Sequence, residues 1–297
     1  MKLGYIVRTM ISSQGLKTNI KVVTLLSVLT GLFLAAGYIF GGTSGMIIGL
    51  LFAGLMNFAS YWYSDRIVLR MYGATEMSEE QYPELHESLR QLSERADIPV
   101  PRLYLSDMDV PNAFATGRSP EKGVVCVTEG LLRELEMNEI EGVVSHELAH
   151  IKNRDTLINS VVATLAGALG FMAEMLFWGT LLTGRREGEG EAFAAFAFMI
   201  MTPLIATLIR LGISRSMEYR ADSNGVQIHG SKDGLKSALQ KIDGYSSRSR
   251  PKHSAKYQET GSNLFISNPF KSDTMTSLLS THPSLDKRME NIEETEI

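Results

Sequence analysis

Hydrophobic positions fall in four long runs along this chain, and charged and polar residues fill the stretches between them. Val22 to Phe40 is 19 residues without a charge, close to the ~20 that a helix needs to cross a bilayer. Gly41 to Ser64 follows at once as 24 uncharged residues ending in Tyr61-Trp62-Tyr63, an aromatic belt of the kind found at membrane interfaces. A second span so close behind the first argues against a cleaved signal peptide, despite Ala35-Ala36-Gly37. Leu157 to Ala173 and Ala192 to Ile209 form a second pair, with Met175 to Gly184 and the polar loop Gly184 to Glu191 between them. Glu174 interrupts the third run and Pro203 sits inside the fourth. That pair therefore reads either as a membrane hairpin or as a segment lying partly in the interface or packed on the soluble part. If it crosses, Glu174 must face other helices or a wet cavity, because a carboxylate in lipid is costly.

The polar remainder, residues 66–155 and 210–297, carries its own periodicities. Tyr82, Leu85, Leu89 and Leu92 recur at steps of three and four, which predicts a helix that Pro99 and Pro101 end. Arg102 to Ser106 and Gly123 to Val127 predict short strands. Asn138 followed by Glu141 predicts a capped helix start, with the helix running from Glu139 to about Asn153. The pattern predicts an α+β, mostly helical integral membrane protein. It has about four transmembrane helices, and a small sheet beside one chemically loaded helix. Residues 1–65 form a two-span anchor, and 66–297 form the working domain, interrupted by the hydrophobic hairpin at 157–209.

Charge sets orientation and excludes one class of partner. Lys2, Arg8, Lys17 and Lys21 precede the first span, Arg66 and Arg70 follow the second, and the connection between the spans has no basic residue. Cytoplasmic loops carry such an excess, so the N-terminus and the chain after Arg66 are expected in the cytoplasm of a multi-pass cell-membrane protein. Arg185-Arg186 in the second hairpin pulls the other way. The net charge of −4, from 29 Lys and Arg against 33 Asp and Glu, gives no basic footprint for nucleic acid. The single cysteine, Cys126, rules out an intrachain disulfide and a thiolate zinc cage. In Gly-Val-Val-Cys-Val it reads as a buried strand residue, not a nucleophile.

The strongest chemical signal is His146-Glu147-Leu148-Ala149-His150. Residues four apart share one helix face, so two imidazoles can converge on one Zn²⁺, one ion per chain. Glu147 lies about 100° around the helix, near enough to take a proton from a water at the metal without ligating it. Two histidines leave a catalytic zinc site one ligand short. The other histidines, His86, His229, His253 and His282, are distant in sequence, and the alternative is a downstream acid. Glu218 is one such acid, in Ser216-Met-Glu-Tyr-Arg-Ala-Asp222 just after the fourth run. Asp222, four residues on, would share its face and could hold a histidine by its second nitrogen. Glu218 meets the histidine helix on one side of the bilayer only if the intervening segment crosses an even number of times, zero included. That places the site near the membrane surface.

These features together resemble the HtpX-like membrane zinc metalloproteases, which are related more distantly to CAAX prenyl proteases. The resemblance rests on the two N-terminal spans, Asn112-Ala-Phe-Ala-Thr-Gly117, His146 to Asp155, the second hydrophobic hairpin, Glu218 to Asp222, Asn263 to Phe270 and Thr281 to Arg288. It implies a gluzincin-type domain facing the cytoplasm with Glu218 as third ligand, and proteolytic quality control of membrane proteins as its role. By the same likeness, Asn112 to Ala115 is the edge along which an extended substrate lies. His282 and Arg288 match late family positions, where such a group can stabilise the oxyanion. Asn153 and Asp155 match as supporting structure rather than ligands.

Three other functions compete. A narrow processing protease of the CAAX type would enclose its site in more spans than the four found here. A catalytically silent zinc-binding adaptor would gain nothing from an unligated Glu147. Metal transport would place acids or histidines at membrane depth, whereas these lie outside the apolar runs. The expected partners are protein or peptide substrates at the membrane, and the lipid bilayer.

Overall fold

The computed structural model describes residues 13–162, 164–165, 214–248 and 283–297. Beyond Leu165, the second hydrophobic pair lies outside the described residues, as do His253 and His282.

Helix α1 (Ser13–Trp62) contains both N-terminal spans, folded back on each other at Gly42, whose φ of 57° a side chain would strain. Asn57 Nδ2 donates to Thr30 Oγ1 at 2.9 Å, a contact possible only in a hairpin. Gly37, Gly45 and Gly49 let the two limbs touch, because a Cβ on Gly45 would meet the Gly37 carbonyl and one on Gly49 the Phe33 carbonyl. Leu16–Ala35 and Gly42–Trp62 are each long and apolar enough to cross a membrane. Among the described residues, every exposed large apolar side chain lies between Leu16 and Tyr63, except Val100 and Ile297. An apolar outer face of that extent needs lipid or protein against it. The inner face does have a protein partner. Val22, Leu25 and Leu29 pack against Leu157, Ile158, Val161, Val162 and Leu165, on the helical segment that opens the third apolar run.

Helix α2 (Ser64–Met71) continues from the second span and buries Val68 and Leu69. The sheet follows in the order β1-β2-β4-β3, with β1 Thr75–Glu76, β2 Arg102–Ser106, β3 Ala113–Thr116 and β4 Val124–Thr128. β4 pairs parallel with β2 and antiparallel with β3. All five β4 residues are buried because both faces are covered: Val125 and Val127 join the main core, while Val124 and Cys126 face the cluster of Val68, Leu69 and Tyr72. β1 and β3 carry no alternating β-branched pattern, so periodicity predicts only β2 and β4.

Helix α3 (Pro83–Ala96) starts on Pro83 and ends at Asp97 in the left-handed region. Thr128 caps α4 (Glu129–Glu134) by accepting from the Leu131 N–H at 3.1 Å. The central helix α5 (Met137–Asn153) begins two residues earlier than Asn138 suggested. Its capping box is Glu136 with Glu139, whose Oε2 accepts from the Glu136 N–H at 2.8 Å. Glu141 is turned elsewhere and accepts from Ser88 Oγ at 2.9 Å. Helices α6 (Arg215–His229), α7 (Asp233–Arg248) and α8 (Leu285–Glu294) complete the described fold. Two glycines set how closely α5 is gripped. A Cβ on Gly142 would strike the backbone at Leu235, and one on Gly225 would lie 3.0 Å from His146 Cα.

Candidate metal centre

α5 is buried from His146 through Ile151 on all sides, so its polar side chains there must be matched by partners from other elements. His146 and His150 present their Nε2 atoms to each other at 3.2 Å. α6 crosses α5 at Gly225 and brings Glu218 in, with Oε1 3.5 Å from His150 Nε2 and Oε2 3.8 Å from His146 Nε2. One donor atom from each of the three residues lies within 4.8 Å of the others, and all three residues are buried. The remaining described histidines are used elsewhere: His86 Nε2 lies 3.2 Å from the Met77 carbonyl, and His229 Nδ1 lies 3.1 Å from the Ser231 carbonyl. His282 lies outside the described residues.

The far side of each imidazole faces a carboxylate. His146 Nδ1 is 3.0 Å from Asp222 Oδ1, and His150 Nδ1 is 3.3 Å from Asp155 Oδ2. Each carboxylate meets an arginine in turn. Arg288 donates to Asp222 through Nη2 at 2.6 Å and Nε at 2.9 Å, and Arg220 Nη2 donates to Asp155 at 2.9 Å. Asp222 is fully buried, yet its carboxyl is held below the usual carboxylate range. Burial pushes it up, and Arg288 and His146 outweigh that. Arg288 is 2% exposed, so it sits behind Asp222 and away from solvent. The Arg220–Asp155 contact links residues 65 apart and has no local signature in the sequence. The only hint there is the position of Arg220, two residues after Glu218.

The arrangement of charges in the cluster favours a cation. With a carboxylate near each Nδ1 atom, both Nε2 atoms are turned toward the one carboxylate of Glu218 at close range. His150 feels that charge directly. Burial pulls its pKa down, but Asp155, Glu218 and Glu147 push it up to about 9. Two imidazoles and one carboxylate, buried and within coordination reach of a common point, are a donor set that suits Zn²⁺.

Glu147 is buried on the same helix, and its carboxyl is raised. Burial is the main cause and Glu218 adds to it, while His150, His146 and a hydrogen bond from the Ala115 backbone N–H pull the other way. That last contact joins Glu147 to β3, the end strand of the sheet. Asn112 lies just before β3, and its N–H and C=O both engage Thr128, its N–H donating to Thr128 Oγ1 at 3.0 Å. It is buried, and its main chain is paired with the β4 end.

Comparison with known proteins adds an independent line. Residues 79–296 match peptidase family M48. A protease HtpX homolog of Aquifex aeolicus is 47% identical over 269 residues, which span 88% of each chain. One from Pyrococcus furiosus is 47% identical over 270 residues, 90% of this chain and 92% of that one. Among solved structures, S. mikatae Ste24p aligns at 19% identity with a TM-score of 0.48, covering 94% of this chain and 66% of that one.

Proposed function

The chain belongs to peptidase family M48, and from that premise we propose that it is a membrane-bound zinc endopeptidase working at the cytoplasmic membrane surface. The observation that carries this reading is the meeting of His146, His150 and Glu218, three buried donors from two helices, within 4.8 Å. When bound there, zinc supplies Lewis acidity, which makes water nucleophilic at neutral pH and polarises a carbonyl.

The rest of the chemistry falls to this chain's own residues. Glu147 takes the proton from the attacking water and passes it to the leaving amine, and burial, which raises its carboxyl, makes it the readier proton acceptor. The Ala115 N–H holds that carboxylate beside the sheet. Asp222, 3.0 Å from Nδ1 of His146, steadies that ring with Nε2 turned inward, and Arg288 keeps Asp222 charged. By likeness to the family the 112–115 segment is the edge along which an extended peptide lies, with the main chain of Asn112 itself taken by Thr128. His282 is assigned to oxyanion stabilisation by likeness to the family.

In this reading residues 1–65 are the anchor, and 66–297 are the protease domain interrupted by the 157–209 hairpin. Lys17, Lys21, Arg66 and Arg70 flank the two spans and favour a cytoplasmic domain. Arg118, next to the end of β3, stacks over Trp62 of the aromatic belt at 4.3 Å. That contact supports a site close to the bilayer and substrates that are membrane or membrane-associated proteins, cleared in quality control.

The test is zinc content and casein cleavage by purified, detergent-solubilised protein, wild type beside Glu147→Gln. Cleavage should be lost on substitution, with about one zinc per chain retained in both. Zinc without casein cleavage in the wild type would redirect the reading to a narrow processing protease, and no zinc at all would refute it.

A further inference from the structure

We propose that Asp155 and Arg220 form a positioning pair that fixes the His150 ring for metal binding. The inference rests on the zinc reading above. α5 ends at Asn153, and Arg154 takes a left-handed turn with φ 61°, which brings Asp155 back toward the helix the chain has just left. Its carboxylate then lies 3.3 Å from His150 Nδ1, and Arg220 Nη2 donates to both of its oxygens, at 2.9 and 3.2 Å. Asp155 is 2% exposed, and a buried carboxylate calls for a cation against it. Arg220 supplies that cation. Held between Arg220 and His150, the Asp155 carboxylate stops the ring turning about its Cβ–Cγ bond and leaves Nε2 directed at the other two ligands.

The pair also ties His150 to two separate elements. Arg220 stands on α6, two residues after Glu218 and two before Asp222. One helix therefore presents a ligand, steadies His146 through Asp222, and steadies His150 through Arg220 and Asp155. Asp155 itself opens the helical segment whose Leu157, Ile158 and Val161 pack against Val22, Leu25 and Leu29 of the first span. The orientation of the ring is set jointly by α6 and by the segment seated on the membrane anchor.

The experiment uses the full chain in detergent with Asp155→Asn, Arg220→Ala, Arg220→Lys, and the double variant Asp155→Asn with Arg220→Ala. Zinc retention is read in a chelator titration, and ring geometry in the visible spectrum of cobalt-substituted protein. Asp155→Asn and Arg220→Ala should each release zinc at about 10-fold lower chelator concentration than wild type, with a shifted cobalt spectrum. Arg220→Lys should recover part of both signals. The double variant should be no worse than Asp155→Asn alone, because Arg220 acts through Asp155. Single variants that hold zinc like wild type with an unchanged spectrum would overturn the proposal, as would a fully additive double. If Asp155→Asn does not fold, the Arg220 variants decide alone, since that side chain is 36% exposed at the rim. A wild type that binds no zinc removes the zinc reading and this inference together, whereas tight wild-type zinc with indifferent variants removes only this one.

Discussion

At the residue scale, the centre depends on charges that cannot be separated without cost. Asp222 and Arg288 are both almost wholly buried, and they meet through two hydrogen bonds. Removing one member of such a pair leaves the other charge stranded, which typically costs about 3–5 kcal/mol. Asp222→Ala should therefore destabilise the metal-free protein by an amount in that range. Adding Arg288→Met should restore part of the loss, because the stranded guanidinium goes with it. Unfolding in detergent, followed by circular dichroism against temperature, measures both. A double variant less stable than Asp222→Ala would contradict the account. The same scale shows what the sequence can express. His146 and His150 are legible because four residues make one helical turn, and Asp222 shares a face with Glu218 for the same reason. The Asp155–Arg220 contact depends on a left-handed residue at Arg154 and on a helix crossing, neither of which has a local signature.

At the scale of elements, Gly225 determines whether the ligands meet at all. A Cβ there would stand 3.0 Å from both Cα and N of His146, so Gly225→Ala must push α6 off α5 by a few tenths of an ångström, and larger residues by more. Zinc affinity should fall in the order Gly, Ala, Val at this position. Gly54→Ala, where nothing lies within 4 Å, should have no effect. A chelator titration across the series tests the order. The start of α5 makes a second case. Glu139 closes the capping box and also accepts from Lys241 Nζ at 2.7 Å and Ser237 Oγ at 2.6 Å. Burial raises its carboxyl, but Lys241, Ser237 and the Glu136 N–H outweigh that and leave it lowered. A lowered folded pKa means the stabilisation is present above the unfolded carboxylate pKa and lost as pH falls through the folded value. Glu139→Ala should therefore cost about 1 kcal/mol at neutral pH, and less once acid has protonated the native carboxylate. Sequence pointed to Asn138 for this cap because asparagine is the commoner N-cap residue. The structure uses Glu136 because Glu139 can reach back from the third position and answer it. The four-residue β3 was similarly hidden, since Ala-Phe-Ala-Thr is apolar by burial on both faces and not by alternation.

At the scale of the whole molecule, orientation follows from where the hairpin turns and where the protease domain begins. If α1 folds at Gly42 inside the far interface, Thr43 lies on the side of the membrane opposite to Glu121, an exposed residue beside the β3–β4 turn. The chain suits a labelling experiment because its single cysteine is silent. Cys126 is buried in β4, and burial alone pushes its thiol well above the range in which thiolate forms. Thr43→Cys and Glu121→Cys, made separately, thus each provide one reactive thiol. In intact cells a membrane-impermeant maleimide should label Thr43→Cys directly, and Glu121→Cys only after the membrane is permeabilised. The reverse pattern would put the protease domain outside the cytoplasm, against the basic residues that flank the spans. Labelling of both positions in intact cells would mean that α1 does not cross at all. The exposed apolar face from Leu16 to Trp62 would then have to pack against protein instead of lipid.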